Sequence, residues 1–350
     1  MDQTCDCTGY FIVTRDAARA LFIQQTVYAD ANSTPIAGDA SLRRYFRLEK
    51  GTSRAILMDA PPEKGEDTRP FVKIAKHLTK HGFSAPEILA SGPEDGFLLL
   101  EDLGDDLYAR LLEHDPPKEI ELYLAAANVL LELHQHPVPP EIGSYDAPVM
   151  SELGVLALTW YADEALDTNP RNHDHFVSEL AKALHATAPS DPVLVLRDYH
   201  AENLIWLPGR SGAARVGLLD FQDALIGHPA YDLVSLLEDA RRDVSRDCAE
   251  QVVAYFCEHA GLDPVEFRRA YAVQAAQRNL RILGVFARLS LHYNKPHYVD
   301  LIPRVWCHLE HDLTHPDLVG LQDICSELLP APTPEKLERL KAKCGTILTR

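Results

Sequence analysis

No run of apolar residues in this chain approaches the roughly 18 that a membrane-crossing helix needs, which argues against a spanning segment. The stretch from Met1 to Tyr10 is acidic and lacks the basic-then-apolar order of a secretory signal, so the expectation is a cytoplasmic protein. Basic charge is scarce: 34 Lys and Arg stand against 52 Asp and Glu, a net charge of −18. Such a surface repels phosphodiester backbones and disfavours nucleic acid as a partner. It leaves room for a small phosphorylated ligand, because a few cations in a cleft reverse the local potential. Cysteine is sparse and odd in number, seven residues in all. Cys5 and Cys7 form a C-x-C with no second ligand pair nearby, unlike a zinc motif. Cys248 and Cys257 fall in helix-like sequence, where a thiol serves as a small apolar group. Reduced thiols fit the cytosol. Internal repeats and low-complexity blocks are also missing.

What is present is ordinary globular composition, 46% hydrophobic and 25% charged. At 350 residues the chain exceeds what one hydrophobic core usually serves, so two lobes are expected. Apolar spacing predicts a first helix over residues 16–28. Alternation over 45–49, a turn at Gly51-Thr52 and a return over 54–58 read as a β-hairpin. Phe71, Ile74, Ala75 and Leu78 mark one face of an amphipathic helix that ends at His81-Gly82. Strands are expected at 87–90 and 97–100, followed by the acidic connector Glu101-Asp102-Leu103-Gly104. Beyond it the pattern is chiefly helical, over 122–133, 155–166 and 176–184, and again from about 231 to the tail. Short apolar runs at 193–196, 204–207 and 216–219 interrupt it as an island of strands. The plan is α+β and two-lobed. Residues 1–100 form a small N-terminal antiparallel-sheet lobe with 1–14 as a tail, 101–104 a hinge, and 105–350 a larger, mainly helical C-terminal lobe. A cleft at such a junction is where ligands are expected.

Three polar residues stand out at the ends of the short strands. Asp198 ends the run 193–196 in Arg197-Asp198-Tyr199-His200-Ala201-Glu202-Asn203, and Asp220 ends the run 216–219 in Leu218-Leu219-Asp220-Phe221. Phosphoryl transfer calls for this kind of set, because charge spreads over the equatorial oxygens and metal ions must neutralise it. Mg²⁺ takes hard oxygen ligands, one or two carboxylates with water and phosphate completing its shell. Asp220 offers a carboxylate and Asn203 a carboxamide oxygen. Asp198 is then the carboxylate that accepts a proton from an attacking hydroxyl.

This pattern resembles the aminoglycoside-phosphotransferase family, kinase-like enzymes that share the protein-kinase fold. More narrowly, several segments resemble the bacterial anomeric kinases of cell-wall amino sugars. These are Gly38 to Arg47, Met58-Asp59-Ala60-Pro61-Pro62, Glu101 to Gly104, Asp220-Phe221-Gln222-Asp223-Ala224 and Tyr231 to Leu236. The resemblance covers nearly the whole chain. It implies an ATP- and Mg²⁺-dependent kinase acting on the C1 hydroxyl of N-acetylmuramate and N-acetylglucosamine in peptidoglycan recycling. Asp198 would be its base, and Asn203 and Asp220 its metal ligands. A monomer with a small sugar and a nucleotide as its only partners is expected. Kinases of the same fold acting on an antibiotic, choline or an amino acid are the alternative, and a nucleotide-binding pseudokinase scaffold is a more distant one.

The nucleotide is expected at Gly38, Asp39, Ala40 and Ser41, whose backbone N–H groups would cover phosphates, and along the backbone of Glu101, Asp102 and Leu103. One position departs from the kinase pattern. The strand over 55–58 ends in Met58 where a phosphate-binding lysine is usual, so another cation must serve, with Arg43, Arg44, Lys73 and Lys76 all open. For the acceptor, Trp160 and Tyr161 could stack on a sugar face, and Tyr199, His200, Gln222 and Asp223 neighbour the chemistry in sequence. Arg278 and Arg281, with Arg241 and Arg242, are candidates to meet a substrate carboxylate, since arginine suits bidentate recognition. Asp232 is read as a support of the catalytic loop or a helix cap.

Overall fold

The structure is a computed structural model that describes residues 14–36, 42–167 and 173–347, with the side chains of 164 and 165 excepted. Gly38, Asp39, Ala40 and Ser41 lie outside the described residues, as do Cys5 and Cys7. The chain divides into two compact units, Met1–Thr79 with Ala85–Gly104, and Lys80–Ser84 with Asp105–Arg350.

The first unit is an antiparallel sheet of five strands in the order β1-β2-β3-β5-β4. These are β1 Asn32–Ile36, β2 Arg44–Lys50, β3 Ser53–Asp59, β4 Ile88–Gly92 and β5 Phe97–Glu101, with helices α1 Arg15–Gln24 and α2 Arg69–Lys80. The hairpin is formed as the alternation predicts, with Leu48 opposite Ala55 and Arg44 opposite Asp59. Its turn uses Gly51 at φ +61°, a conformation glycine adopts at little cost. One sheet face buries Leu48, Ala55, Leu57, Phe97 and Leu99, with Phe22 and Ile23 of α1 packed against them. Helix α2 buries Phe71, Ile74, Ala75 and Leu78, the face its spacing marked.

Two details differ from the sequence reading. Strand β1, Asn-Ser-Thr-Pro-Ile, carries no apolar alternation and every residue is exposed. It pairs only with β2, at the sheet edge where Pro35 is tolerated because its missing N–H is not needed by a second neighbour. Helix α1 stops at Gln24 rather than running to Tyr28. Tyr28 instead buries its ring and donates its hydroxyl to the Arg54 carbonyl at 3.0 Å.

The second unit holds helices α3 Tyr108–His114, α4 Glu119–Leu133, α5 Ala147–Gly154, α6 His173–Ala186, α7 Tyr231–Leu237, α8 Arg246–Ala260, α9 Pro264–Leu291, α10 Ile302–Asp312, α11 Val319–Leu328 and α12 Pro334–Ala342. Two two-stranded ladders are set among them. β6 Val193–Val195 pairs with β9 Leu225–Gly227, and β7 Leu204–Trp206 pairs with β8 Val216–Leu218. The helical stretch expected over 155–166 is a π-helical segment, Ala157–Ala165. Helix α9 lies close against its start: a Cβ at Gly284 would fall 2.2 Å from the Leu156 carbonyl carbon, so only glycine fits there.

Under α7 lies a buried polar layer. Asn279 of α9 donates to Glu238 at 2.8 Å and to Asp312 at 2.9 Å, which holds the two acids together between α7 and α10. Arg278 donates to the Glu238 carbonyl at 3.1 Å and to Ser235 Oγ at 3.0 Å. Burial pushes the Glu238 carboxyl up to about 7 and Asp312 well above the usual carboxylate range. Two buried acids bonded to each other share a proton, since two charges there would go uncompensated.

Stability should therefore depend on pH. Glu238 has an ordinary value of 4.5, so between there and about 7 the folded state keeps a proton that the unfolded chain has lost. The pair's contribution is complete below that ordinary value and fades as pH rises through the folded one. Urea unfolding should show stability falling by about 1–3 kcal/mol from mildly acidic to mildly basic pH. Glu238→Gln should flatten the fall. A slope unchanged in that variant would mean the proton resides elsewhere.

Candidate active site

Asp198 and Asn203 are both set by the loop between β6 and β7. Val193, Leu194 and Val195 pair with β9, and the loop then turns sharply: the Asp198 N–H bonds the Leu196 carbonyl at 2.9 Å. Arg197, between them, sits at φ +71°. A non-glycine residue there costs on the order of 1–3 kcal/mol and persists only where surrounding bonds over-determine it. They do. The fully buried Asp232 accepts the Leu196 N–H at 2.6 Å and the Arg197 N–H at 2.8 Å. Ser235 donates to the Arg197 carbonyl at 3.1 Å, and Arg278 holds Ser235 from behind. The Arg197 guanidinium donates to the Asp223 carbonyl at 3.3 Å and lies over the Tyr145 ring. Burial pushes Asp232 up to about 7, against the pull of its two N–H partners and with a further push from the charge of Asp198.

Asn203 closes a single 3-10 turn, Ala201–Asn203. Its amide nitrogen donates to the Asp198 carbonyl at 2.8 Å and meets His200 Nε2 at 3.3 Å. Both amide protons are thereby used, and Oδ1 is the atom left for a ligand. The Leu219 N–H bonds the Asn203 carbonyl at 2.9 Å, which continues the β7–β8 ladder and brings Asn203 beside the chain leading into Asp220. Asp220 is in the left-handed region at φ +55°, and Gln222 steadies its carboxylate with a bond of 2.8 Å.

Asn203 Oδ1 and the Asp220 carboxylate are hard oxygens of the kind Mg²⁺ takes alongside phosphate and water. No cluster of three or more His, Cys, Asp or Glu able to hold a metal occurs among the described residues. The set is one carboxylate and one carboxamide, which suits a cation brought in with a phosphate ligand better than a resident one.

The acceptor residues expected from sequence separate into groups. Tyr199 is buried, its hydroxyl donating to the Ala126 carbonyl at 2.8 Å, and Tyr161 is buried with its hydroxyl on the Pro330 carbonyl at 2.7 Å. Both are core residues with no face for a sugar, because their hydroxyls find carbonyl partners inside. Trp160 packs on the same core, near His292. His200 is buried and serves the loop through Asn203, and Gln222 serves Asp220. Asp223 is exposed, its carbonyl on Arg197. Of the four arginines, Arg278 is tied to Ser235 and Glu238, Arg241 to Glu202 at 3.3 Å, and Arg242 to Glu119 at 3.6 Å. Arg281 alone is left beside Asp198. Burial disfavours its charge, yet Tyr231, Tyr145 and Asp198 together raise its pKa.

In the first unit, Met58 is buried in β3. The cations suggested to replace the missing lysine are partly engaged: Arg43 pairs with Glu66 at 2.8 Å, and Arg44 with the fully buried Asp59 at 2.6 Å. Asp102 is likewise held, by Arg47 at 2.7 Å and the Gly104 N–H at 2.9 Å. Tyr145 escaped the sequence reading, since it lies in an irregular segment with no periodicity around it.

A strained loop presenting Asp198, braced from below and laced to a second loop carrying Asp220, is the candidate centre, and the chain belongs to the phosphotransferase enzyme family, whose model matches residues 32–292. Within that class it is similar to an N-acetylmuramate/N-acetylglucosamine kinase of Caulobacter vibrioides, 39% identical over 91% of this chain and 98% of that one. A kinase of the same name from Pseudomonas aeruginosa is 33% identical over 85% of this chain and 89% of its own. Among solved structures, the ternary complex of APH(2")-IIa with streptomycin and ATP shares the fold. Its TM-score is 0.55 at 15% identity, covering 77% of this chain and 91% of that one. The fold is kinase-like, an N-terminal antiparallel sheet followed by a mostly helical remainder.

The brace gives a test. Asp232→Asn keeps the volume but faces one backbone N–H with a donor, so kcat should fall by roughly 10- to 100-fold from misplacement of Asp198. Asp232→Ala leaves both N–H groups unpaired and should cost about 2–4 kcal/mol in urea unfolding. Wild-type turnover in both variants would remove Asp232 from the site.

Proposed function

We propose that the protein is an ATP-dependent kinase of N-acetylmuramate and N-acetylglucosamine that phosphorylates the anomeric C1 hydroxyl. The observation that carries the acceptor is the 39% identity to a kinase of that name, extending over nearly the full length of both chains. The observation that supports the chemistry is the loop pair bearing Asp198, Asn203 and Asp220.

Asp198 receives the acceptor hydroxyl as a hydrogen bond and takes its proton as the oxygen attacks phosphorus. An anomeric hydroxyl is more acidic than a simple alcohol, so one carboxylate without a histidine partner is enough. Asn203 and Asp220 would hold the Mg²⁺ that accompanies the triphosphate, which when bound neutralises charge on the phosphate oxygens. Asn203 does a second task, because the amide that offers Oδ1 also clamps the Asp198 backbone. One rotation of that amide would disturb base and metal site together.

Residues 38–41 and the backbone of Glu101, Asp102 and Leu103 are the proposed nucleotide contacts, with 101–104 as the connector. The Asp102 side chain contributes by fixing that backbone through Arg47 and Gly104. The protein is proposed to act as a cytoplasmic monomer in peptidoglycan recycling, where sugars released from the wall meet ATP. No helix among the described residues is long and apolar enough to cross a membrane.

A coupled assay for ADP release across N-acetylmuramate, N-acetylglucosamine, glucose, choline and an aminoglycoside should show turnover with the two N-acetyl sugars. Asp198→Asn should lose about 10²- to 10⁴-fold in kcat while nucleotide affinity changes little. Turnover confined to choline or the aminoglycoside would overturn the acceptor. Full turnover in Asp198→Asn would overturn the base.

A further inference from the structure

Arg281 lies on α9, where it is partly buried. Its one hydrogen bond among the described residues runs from Nη1 to the Tyr231 hydroxyl, at 3.5 Å. No carboxylate of a described residue pairs with it, whereas Arg241, Arg242, Arg268, Arg269, Arg304 and Arg339 all meet acids. A guanidinium carries five donors, and removing it from water without a counter-ion is costly. Such a group is retained where an anion arrives from outside.

Its neighbours point the same way. The Tyr145 and Tyr231 hydroxyls are 3.3 Å apart and their rings, both buried, meet edge to face, so the pair gives Arg281 a fixed polar support from inside the unit. Arg197 covers the other side of Tyr145, its guanidinium 5.0 Å from the ring centroid. Two guanidinium groups thus flank one tyrosine pair beside Asp198. Arg197 is committed to the Asp223 carbonyl and to holding the strained turn. Arg281 is the more available of the two.

A substrate anion brought close to Asp198, Asp220 and Asp223, on a chain of net charge −18, meets repulsion unless a cation is placed for it. N-acetylmuramate and N-acetylglucosamine differ by a lactyl ether that ends in a carboxylate. We infer that Arg281, backed by the Tyr145–Tyr231 pair, is the specificity-determining residue that binds the acceptor's carboxylate and separates the muramate sugar from the glucosamine sugar. The inference rests on the acceptor class proposed above.

The test is kcat/KM for both sugars and for the lactyl methyl ester of N-acetylmuramate, in wild type, Arg281→Lys and Arg281→Gln. In Arg281→Gln the value for N-acetylmuramate should fall roughly 10- to 100-fold, carried mostly by KM, and N-acetylglucosamine should stay within about 3-fold. Arg281→Lys should recover part of the loss, since it restores charge without the planar fork. Wild type should discriminate the free acid from the neutral ester, and Arg281→Gln should not. If that variant fails to fold, the wild-type comparison of acid with ester still decides, and equal values would overturn the inference. Equal losses for both sugars in a folded variant would also overturn it, and would assign Arg281 to Asp198 or to phosphate. A wild type inactive on both sugars would instead remove the functional reading beneath it.

Discussion

The carboxylate of Asp232 takes two short bonds from consecutive backbone N–H groups, Leu196 at 2.6 Å and Arg197 at 2.8 Å. The conformation of the loop that carries Asp198 depends on that pair of bonds. Without them Arg197 would leave φ +71° for an ordinary extended conformation, and Asp198 would turn away from where Asn203 now clamps its carbonyl. A buried carboxylate costs free energy by desolvation, seen in the rise of Asp232 to about 7. The two N–H bonds to the carboxylate offset both costs, the burial of the acid and the strain of the turn.

That coupling extends downward. Ser235, one turn after Asp232 on α7, takes hold of the Arg197 carbonyl, and Arg278 on α9 takes hold of Ser235. Arg278 also reaches the Glu238 carbonyl, and its neighbour Asn279 joins Glu238 to Asp312 on α10. Three helices are thus joined by polar bonds beneath one loop. A polar layer is directional where an apolar one is not, so it favours one register of these helices. For a base at Asp198, as proposed, the return on that arrangement is positional precision.

Sequence made part of this legible. The strand-end positions of Asp198 and Asp220 could be read because short apolar runs bounded by polar residues have few other interpretations. The amphipathic face of α2 was equally plain. Edge strand β1 was hidden because its five residues are exposed and include Pro35, leaving no alternation to detect. The π-helical turn at Ala157–Ala165 was hidden because its apolar spacing reads as ordinary helix. Trp160 and Tyr161 could be a sugar platform on residue type alone, and it is the burial of Tyr161, with its hydroxyl bonded to the Pro330 carbonyl, that places that residue in the core. The four candidate arginines were indistinguishable in sequence. Which of them is paired depends on acids 39 to 123 positions away, as with Arg241 to Glu202 and Arg242 to Glu119, and no local pattern encodes that.

The missing lysine at Met58 belongs to the same problem of pairing. Arg44 is the nearest cation in the strand register, opposite Asp59 and one place from the partner of Met58. It is bound to Asp59, whose fully buried carboxylate is also held by Arg15 at 2.6 Å. Drawing Arg44 away toward a phosphate would leave that buried acid with one close partner, and breaking a buried pair costs about 3–5 kcal/mol. Arg43 is bonded to Glu66 in the same manner, though neither partner is fully buried. A charge bound so firmly within the fold makes a poor substitute for a lysine that must follow a leaving nucleotide. The sheet thus uses Arg43 and Arg44 as structural residues, which leaves β3 without an uncommitted cation of its own at this position. If Asn203 and Asp220 hold the metal as proposed, that centre would carry a larger share of phosphate binding than in a kinase that keeps the strand lysine, and the bracing of its loop by Asp232 would matter correspondingly more.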